Sequence, residues 1–364
     1  MKTQALKISP DMLSLAREYR GMTQKDLAAA ASITQPQIAQ MEDGQTNSAS
    51  ANTINAVIEA LGFPIEFFEL QETKIGFGSS SVFYRKKSKI TAADRRVIQS
   101  KVNLHRIALK KMLNAVDIKP TLNLLTVDLE SGKTPIDAAN LIRSTWNIPD
   151  GPIQDLTKLL ERAGIVIIEC DFGTKYIDGT TIWNMDAPPT IYVNKDLSPD
   201  RYRFTIAHEL GHLVMHEDHN EDMENQADQF ASELLMPKQF FSPYVSRFHG
   251  APKLHELSAL KGMWKVSIAA MIERMHQLNF ISQEKRKVLY IMMNQQKIRQ
   301  VEPNSFEKEK PALLEKIFNA AVIDGDIDMK NLSSYFLLPN ECVKELYFSL
   351  PQLSVKKIPH LRIL

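Results

Sequence analysis

Residues 203–216 read RFTIAHELGHLVMH, and residues 224–237 read ENQADQFASELLMP. The first stretch contains His-Glu-x-x-His. On an α-helix, positions i and i+4 project from one face, so His208 and His212 can reach a single metal ion. Glu209, one step round, can polarise a water and carry its proton to a leaving amine. A buried helix with two satisfied histidines has the same spelling, so the second stretch matters. A catalytic zinc takes three protein ligands and keeps one position open. Glu224, Ala227, Asp228 and Ala231 share one helical face, and the alanines let that helix approach the first closely. Glu224 is then placed to ligate, and Asp228, one turn on, to hold an imidazole by its second nitrogen. His216, Glu217, His219 and Glu221 lie nearby as competing ligands, with Glu221 the main rival of Glu224.

Around this pair of helices the texture is α+β. Helical patterns at 135–146, 153–163 and 199–216 alternate with β-branched runs at 165–169, 179–183 and 190–194. Residues 10–70 instead read as short capped helices divided by tight turns, the mark of a small all-α domain. Residues 74–88, with GFGSSS at 76–81, have linker composition and lead into a basic helical stretch at 92–116. Past Pro252 the chain is helical, with WKVSIAAMIERMHQL (264–278) its clearest amphipathic segment. The expected organisation is multidomain: an all-α domain at 1–70, a basic linker and helix at 71–119, an α+β domain at 120–250 and a helical C-terminal domain at 251–364.

The 364 residues allow two to three cores, and 44% hydrophobic with 24% charged residues is the balance of a globular protein. No run of about 18 apolar residues encodes a membrane span, and MKTQALKISPDML at the N-terminus lacks the apolar core of a secretory signal. The two cysteines, Cys170 and Cys342, form no CxxC and fit a reducing, cytoplasmic setting. The net charge of +1 conceals an uneven spread: −3 over residues 1–70, +9 over 71–119 and about −5 over the rest.

Together PTIYVN (189–194), RYRFTIAHELGHLVMH (201–216) and ENQADQFASELLMP resemble the ImmA/IrrE family of metallopeptidases, over roughly residues 120–250. The resemblance implies a zincin-like, gluzincin-type domain that cleaves helix-turn-helix repressors. It assigns Zn2+ to His208, His212 and Glu224 and the general base to Glu209. It also equates 190–194 with an edge strand beside the cleft, where an extended substrate could pair through its backbone. Tyr192, Tyr176 and His216 are candidate oxyanion stabilisers.

Residues 22–44, MTQKDLAAAASITQPQIAQMEDG, resemble the XRE class of phage-repressor-like helix-turn-helix domains, over 10–68. The resemblance implies a recognition helix starting at Thr34–Gln35 and presenting Gln35, Gln37 and Gln40 to the major groove, where glutamine can bond adenine N6 and N7. Gln24 is placed for a phosphate contact. Pro36 is tolerated in the first helical turn, where no intrahelical N–H is lost. The domain is net acidic, however, and DNA affinity is largely phosphate neutralisation. Arg85, Lys86, Lys87, Lys89, Arg95 and Arg96, within YRKKSKITAADRRVIQSK (84–101), could supply the missing charge, or form only a solvated face.

The function expected is a DNA-binding regulator with a zinc-dependent endopeptidase domain, cleaving a repressor- or antitoxin-type protein or itself. Expected partners are a double-stranded operator, that protein substrate, single-stranded DNA as an activator on the basic block, and a second copy in a homodimer. The competing reading is a transcription factor or antitoxin whose metallopeptidase-like domain only senses. Glu209, which a sensor does not need, favours the enzyme. Asp324, Asp326 and Asp328 mimic a calcium loop, but the glycine is misplaced and the closing glutamate absent. Cys170 reads as a buried inert thiol rather than an inhibitory ligand.

Overall fold

Side chains that satisfy free N–H groups open most of the helices, each such cap contributing about 1 kcal/mol. Ser9 caps α1 (Pro10–Tyr19), a Thr23–Asp26 capping box opens α2 (Gln24–Ala30), and a Thr34–Gln37 box opens α3 (Gln35–Glu42). Ser50 caps α4 (Ala51–Leu61), and the one-turn helix α5 (Ile65–Phe68) follows. The computed structural model describes residues 8–45, 50–76, 82–84, 90–114, 116–184, 187–215, 222–248, 252–298, 302–323, 327 and 331–347. Described residues of 1–77, 86–118 and 315–363 form one compact unit, and those of 78–85 and 119–314 form another.

In the first unit, Met12, Leu13, Leu15, Leu27, Ile38, Val57, Leu61, Phe67 and Phe68 are wholly buried. Arg17 crosses from α1 to Glu42 at the end of α3, with Nε and Nη2 donating at 2.6 and 2.8 Å, which ties α3 to the body of the domain. The basic helix α6 (Ala92–Leu113) packs on α1. The expected linker is in part pinned to it: Asn103 bonds both the N–H and the C=O of Ile75, and Arg106 donates to the C=O of Thr73. The C-terminal elements of this unit are most of α15 (Leu313–Ile323), α16 (Leu332–Phe336) and α17 (Asn340–Tyr347). Tyr19 donates to Glu345, Arg20 pairs with Glu341 and Lys101 with Glu345, so α17 bonds residues of both α1 and α6. The C-terminal third, expected as one domain, is thus divided between the two units.

The second unit holds β1 (Val82–Tyr84), α7 (Pro135–Thr145), α8 (Leu156–Arg162), β2 (Val166–Cys170), β3 (Ile177–Asn184), β4 (Ala187–Asn194) and α9 (Pro199–Met215). It continues with α10 (Met223–Leu235), α11 (Lys238–Val245), α12 (Leu254–Trp264), α13 (Ile268–Gln277) and α14 (Gln283–Gln295). One core runs from Ala138 and Ile142 through Ile167, Ile191, Tyr202, Ile206, Phe230 and Leu234 to Trp264 and Met293. Each large side chain there contributes about 1.5–3 kcal/mol through burial. Buried cations tie down the C-terminal end of α10: Arg143 donates to the C=O of Leu234, and Arg274 to the C=O of Met236 and to Glu233.

The sheet order is β1-β3-β4-β2, with β3–β4 antiparallel and β2–β4 parallel. This corrects two expectations. Residues 190–194 belong to an interior strand, bonded in parallel to β2 on one side and antiparallel to β3 on the other. Residues 82–84, within the expected linker, form a strand paired to β3.

Candidate metal centre and nucleic-acid face

Helix α9 lies against β3 and β4 on one side and α10 on the other. This sandwich buries the His-Glu-x-x-His motif: His208 and Glu209 are fully buried and His212 nearly so. Ala227 and Ala231 of α10 are wholly buried, as a close helix contact requires. Among the described residues, one group of three or more His, Cys, Asp or Glu side chains can hold a metal ion: His208, His212 and Glu224, whose ligand atoms lie within 4.8 Å of one another.

The distances suit a single ion. The two histidine Nε2 atoms are 3.0 Å apart, and Glu224 carboxylate oxygens stand 3.6 Å from His208 Nε2 and 3.8 Å from His212 Nε2. Donors bound about 2.0–2.1 Å from one tetrahedral zinc are about 3.3 Å apart, inside this range. The Nδ1 of His208 meets Asp228 Oδ1 at 2.9 Å, a bond that turns Nε2 toward the other ligands. Glu224 Oε1 is buried without a hydrogen-bond partner, which a dication would satisfy. Burial works against a charge on His208, yet Asp228, Glu224 and Glu209 outweigh it and raise its pKa to about 9. A cation is therefore favoured here, and a metal ion competes with the proton for the same lone pair.

Glu209 is held by a residue that the sequence did not single out. Thr181 of β3 donates through Oγ1 to Glu209 Oε2 at 2.5 Å, leaving Oε1 with no hydrogen bond. Burial raises the Glu209 carboxyl to about 7, helped by Glu224 and Asp178 and opposed by His208 and Thr181. A bound dication lowers that value again. Sheet and helix meet closely at Gly179, where a Cβ would stand 2.7 Å from Thr205 Cγ2 and 3.3 Å from Glu209 Oε1. Asp178 is buried and clamped by Arg201 Nε and Nη2, both at 2.6 Å, which fixes β3 to the start of α9. Strand alternation over 179–183 was the available signal, since it puts Gly179 and Thr181 on one face.

The rival ligands His216, Glu217, His219 and Glu221 lie outside the described residues, as do Asp324, Asp326 and Asp328. Tyr192 is fully buried inside the sheet, Tyr176 is half-buried ahead of β3, and Cys170 is buried on β2.

On the first unit, Thr34, Gln35, Gln37 and Gln40 are exposed along α3. Gln37 Oε1 accepts from the backbone N–H and hydroxyl of Thr34, so one of its polar atoms serves the helix cap. Glu42, held by Arg17, accepts from Gln24 Nε2, and Gln24 Oε1 accepts from Gln35 Nε2, each at 2.9 Å. This relay engages one N–H of the Gln35 amide and so orients its side chain. Arg95 and Arg96 are exposed on the first turn of α6. Arg96 lines an open cavity of about 810 Å³ together with Arg17, Glu18, Thr23, Gln24, Lys25 and Gln35. The basic helix therefore places a cation beside the glutamines of the reader. Arg85, Lys86, Lys87 and Lys89 lie outside the described residues. Further along α6, Arg106 and Lys110 are paired with Glu72.

Residues 12–67 match the family model of a helix-turn-helix domain, and residues 160–276 match that of an IrrE N-terminal-like domain. The second match takes in the sheet strands β2–β4, both helices of the metal cluster, and α11 to α13. The chain joins an XRE-like helix-turn-helix domain to an IrrE-like peptidase domain, the fusion expected from its two motifs. No curated protein matches the chain. No helix among the described residues is long and apolar enough to cross a membrane.

Proposed function

We propose that this chain is a DNA-binding regulator carrying a zinc-dependent endopeptidase, which cuts a repressor- or antitoxin-type helix-turn-helix protein or the chain itself. The observation that carries the reading is the convergence of His208, His212 and Glu224 beside a buried Glu209 with one unbonded oxygen. His208, His212 and Glu224 would hold the zinc, which when bound supplies Lewis acidity to a peptide carbonyl and to water. Glu209 takes a proton at Oε1 from the attacking water and returns it to the departing nitrogen. Thr181, bonded to the other oxygen, keeps Oε1 turned to that task. Asp228 fixes the tautomer and ring plane of His208.

For the reader, Gln35 and Gln40 supply base contacts and Gln24 a phosphate contact, with Thr34 and Gln37 at the helix cap. Arg96, on the same cavity wall as Gln24 and Gln35, supplies the positive charge that the acidic domain lacks. Arg95 and the block Arg85, Lys86, Lys87 and Lys89 extend this charge, and single-stranded DNA bound there is the activator this reading favours. A cytoplasmic homodimer on a double-stranded operator is the working assembly.

Metal analysis of the purified chain tests the site. About one zinc per chain is expected in wild type and almost none in His208→Ala/His212→Ala. Stoichiometric zinc in the double variant would refute the ligand assignment.

A further inference from the structure

Strand β3 is the part of the sheet nearest the reacting carboxylate. Thr181 bonds Glu209 Oε2, and a Cβ on Gly179 would lie 3.3 Å from Glu209 Oε1. On its inner side β3 pairs with β4 from Gly179↔Val193 to Asn184↔Ala187, so backbone groups on its outer side are the ones open to a further strand. That place is taken by β1. The register is Val82↔Thr180, Phe83↔Gly179 and Tyr84↔Ile177, antiparallel, with an irregularity between Phe83 and Tyr84. The paired level is thus that of Gly179 and Thr180, the level at which β3 touches Glu209.

We infer that Val82–Tyr84 is a resident competitor: paired along the outer edge of β3, it occupies from within the chain the edge on which, in the proposed function, an extended substrate would pair. The inference rests on the reading of Glu209 and its neighbours as a peptidase centre. Three features set β1 apart from the permanent strands. It is three residues long, and its ladder breaks after two pairs, so its pairing is weak. Its sequence surroundings, GFGSSS before it and RKKSK after it, carry no strand alternation, so the strand conformation is supplied by the edge it lies on. It is also tethered, and a short tether gives an intramolecular partner an effective concentration on the order of millimolar. A substrate segment of equal intrinsic affinity must reach that concentration to displace half of it, whereas one that adds side-chain contacts displaces it at far lower concentration. The edge therefore selects substrates that are extended and make contacts beyond the backbone.

Hydrogen exchange on the full chain tests this, with the segment containing Ile177–Thr180 as reporter. In wild type these amides should be protected. In Val82→Pro/Phe83→Pro/Tyr84→Pro, whose rings and missing N–H groups break the ladder, those of these amides that face β1 should exchange at least 10-fold faster while α9 and α10 keep their protection. A synthetic peptide of residues 78–88 at millimolar concentration should restore protection in the variant. Unchanged exchange in the variant, or no effect of the peptide, overturns the proposal. As a second measurement, Val82→Cys/Thr180→Cys should form a disulfide on oxidation and lower cleavage of a partner repressor at least 10-fold, with recovery on reduction. Failure of that disulfide to form also overturns it. Absence of cleavage in wild type and in every variant would overturn the peptidase reading, while the exchange result still decides the docking edge.

Discussion

Replacing Gly211 by alanine should destabilise the sheet-containing unit by about 1 kcal/mol, although alanine is the better helix former. In an open helix the exchange gains about 1 kcal/mol. At Gly211 an added Cβ would stand 3.1 Å from Phe230 Cδ1, 3.3 Å from Phe230 Cγ and 3.3 Å from Ala227 Cα. Phe230 and Ala227 are fully buried, and Ala227 Cα is the backbone of α10, so α10 itself has to shift. Overfilling a packed core costs about 1–3 kcal/mol. The middle of that range exceeds the propensity gain and leaves a net loss of about 1 kcal/mol. Because α10 carries Glu224 and Asp228, the same shift should weaken zinc binding about 10-fold. Gly262 in α12 is the matched control: nothing lies within 4 Å of its added Cβ, so alanine there should stabilise by about 1 kcal/mol. All three tryptophans, Trp146, Trp183 and Trp264, belong to this unit, so urea unfolding followed by their fluorescence reads it. If both substitutions move stability in the same direction by the same amount, the argument from close helix packing is refuted.

Asp228→Ala should weaken zinc binding by roughly 10–100-fold without abolishing it, because it removes the group that orients His208 rather than a ligand; competition with a chelator measures this, and wild-type affinity would contradict it. Thr181→Val should lower kcat about 10-fold with little change in KM, and Thr181→Ser should restore most of it, since only the hydroxyl holds Glu209. Gln35→Ala should relax base preference by about 1–3 kcal/mol at one operator position, whereas Arg96→Ala should weaken all sequences alike and flatten the salt dependence; competition binding to operator variants at several salt concentrations separates the two.

The helices of both domains were legible because their signals are local. Thr23, Thr34 and Ser50 cap where a free N–H needs them, and the spacing of His208, Glu209 and His212 carries its geometry in the helical period. The close approach of Glu224 to His208 and His212 was legible from Ala227 and Ala231, which mark a close helix contact, while its rival Glu221 lies outside the described residues. What stayed hidden depends on contacts distant in sequence. Residues 190–194 look the same in an interior or an edge strand, and only pairing with 166–170 places them inside the sheet. Val82–Tyr84 is too short to show alternation, and only its pairing with β3 reveals it as a strand. Thr181 reads as an ordinary strand threonine until α9 is packed against its face. The acidic partners of buried cations are equally non-local: Glu309 meets Arg203 and the Thr157 hydroxyl from more than 100 residues away.

The central claim is that Glu209 acts as the proton carrier of a peptidase. It is tested most directly by co-incubating zinc-loaded wild type and zinc-loaded Glu209→Gln with a panel of helix-turn-helix repressors, with and without single-stranded DNA, and following the products by mass spectrometry. The account predicts one discrete cut by wild type and none by Glu209→Gln at equal zinc content. Equal cleavage by both proteins would contradict it.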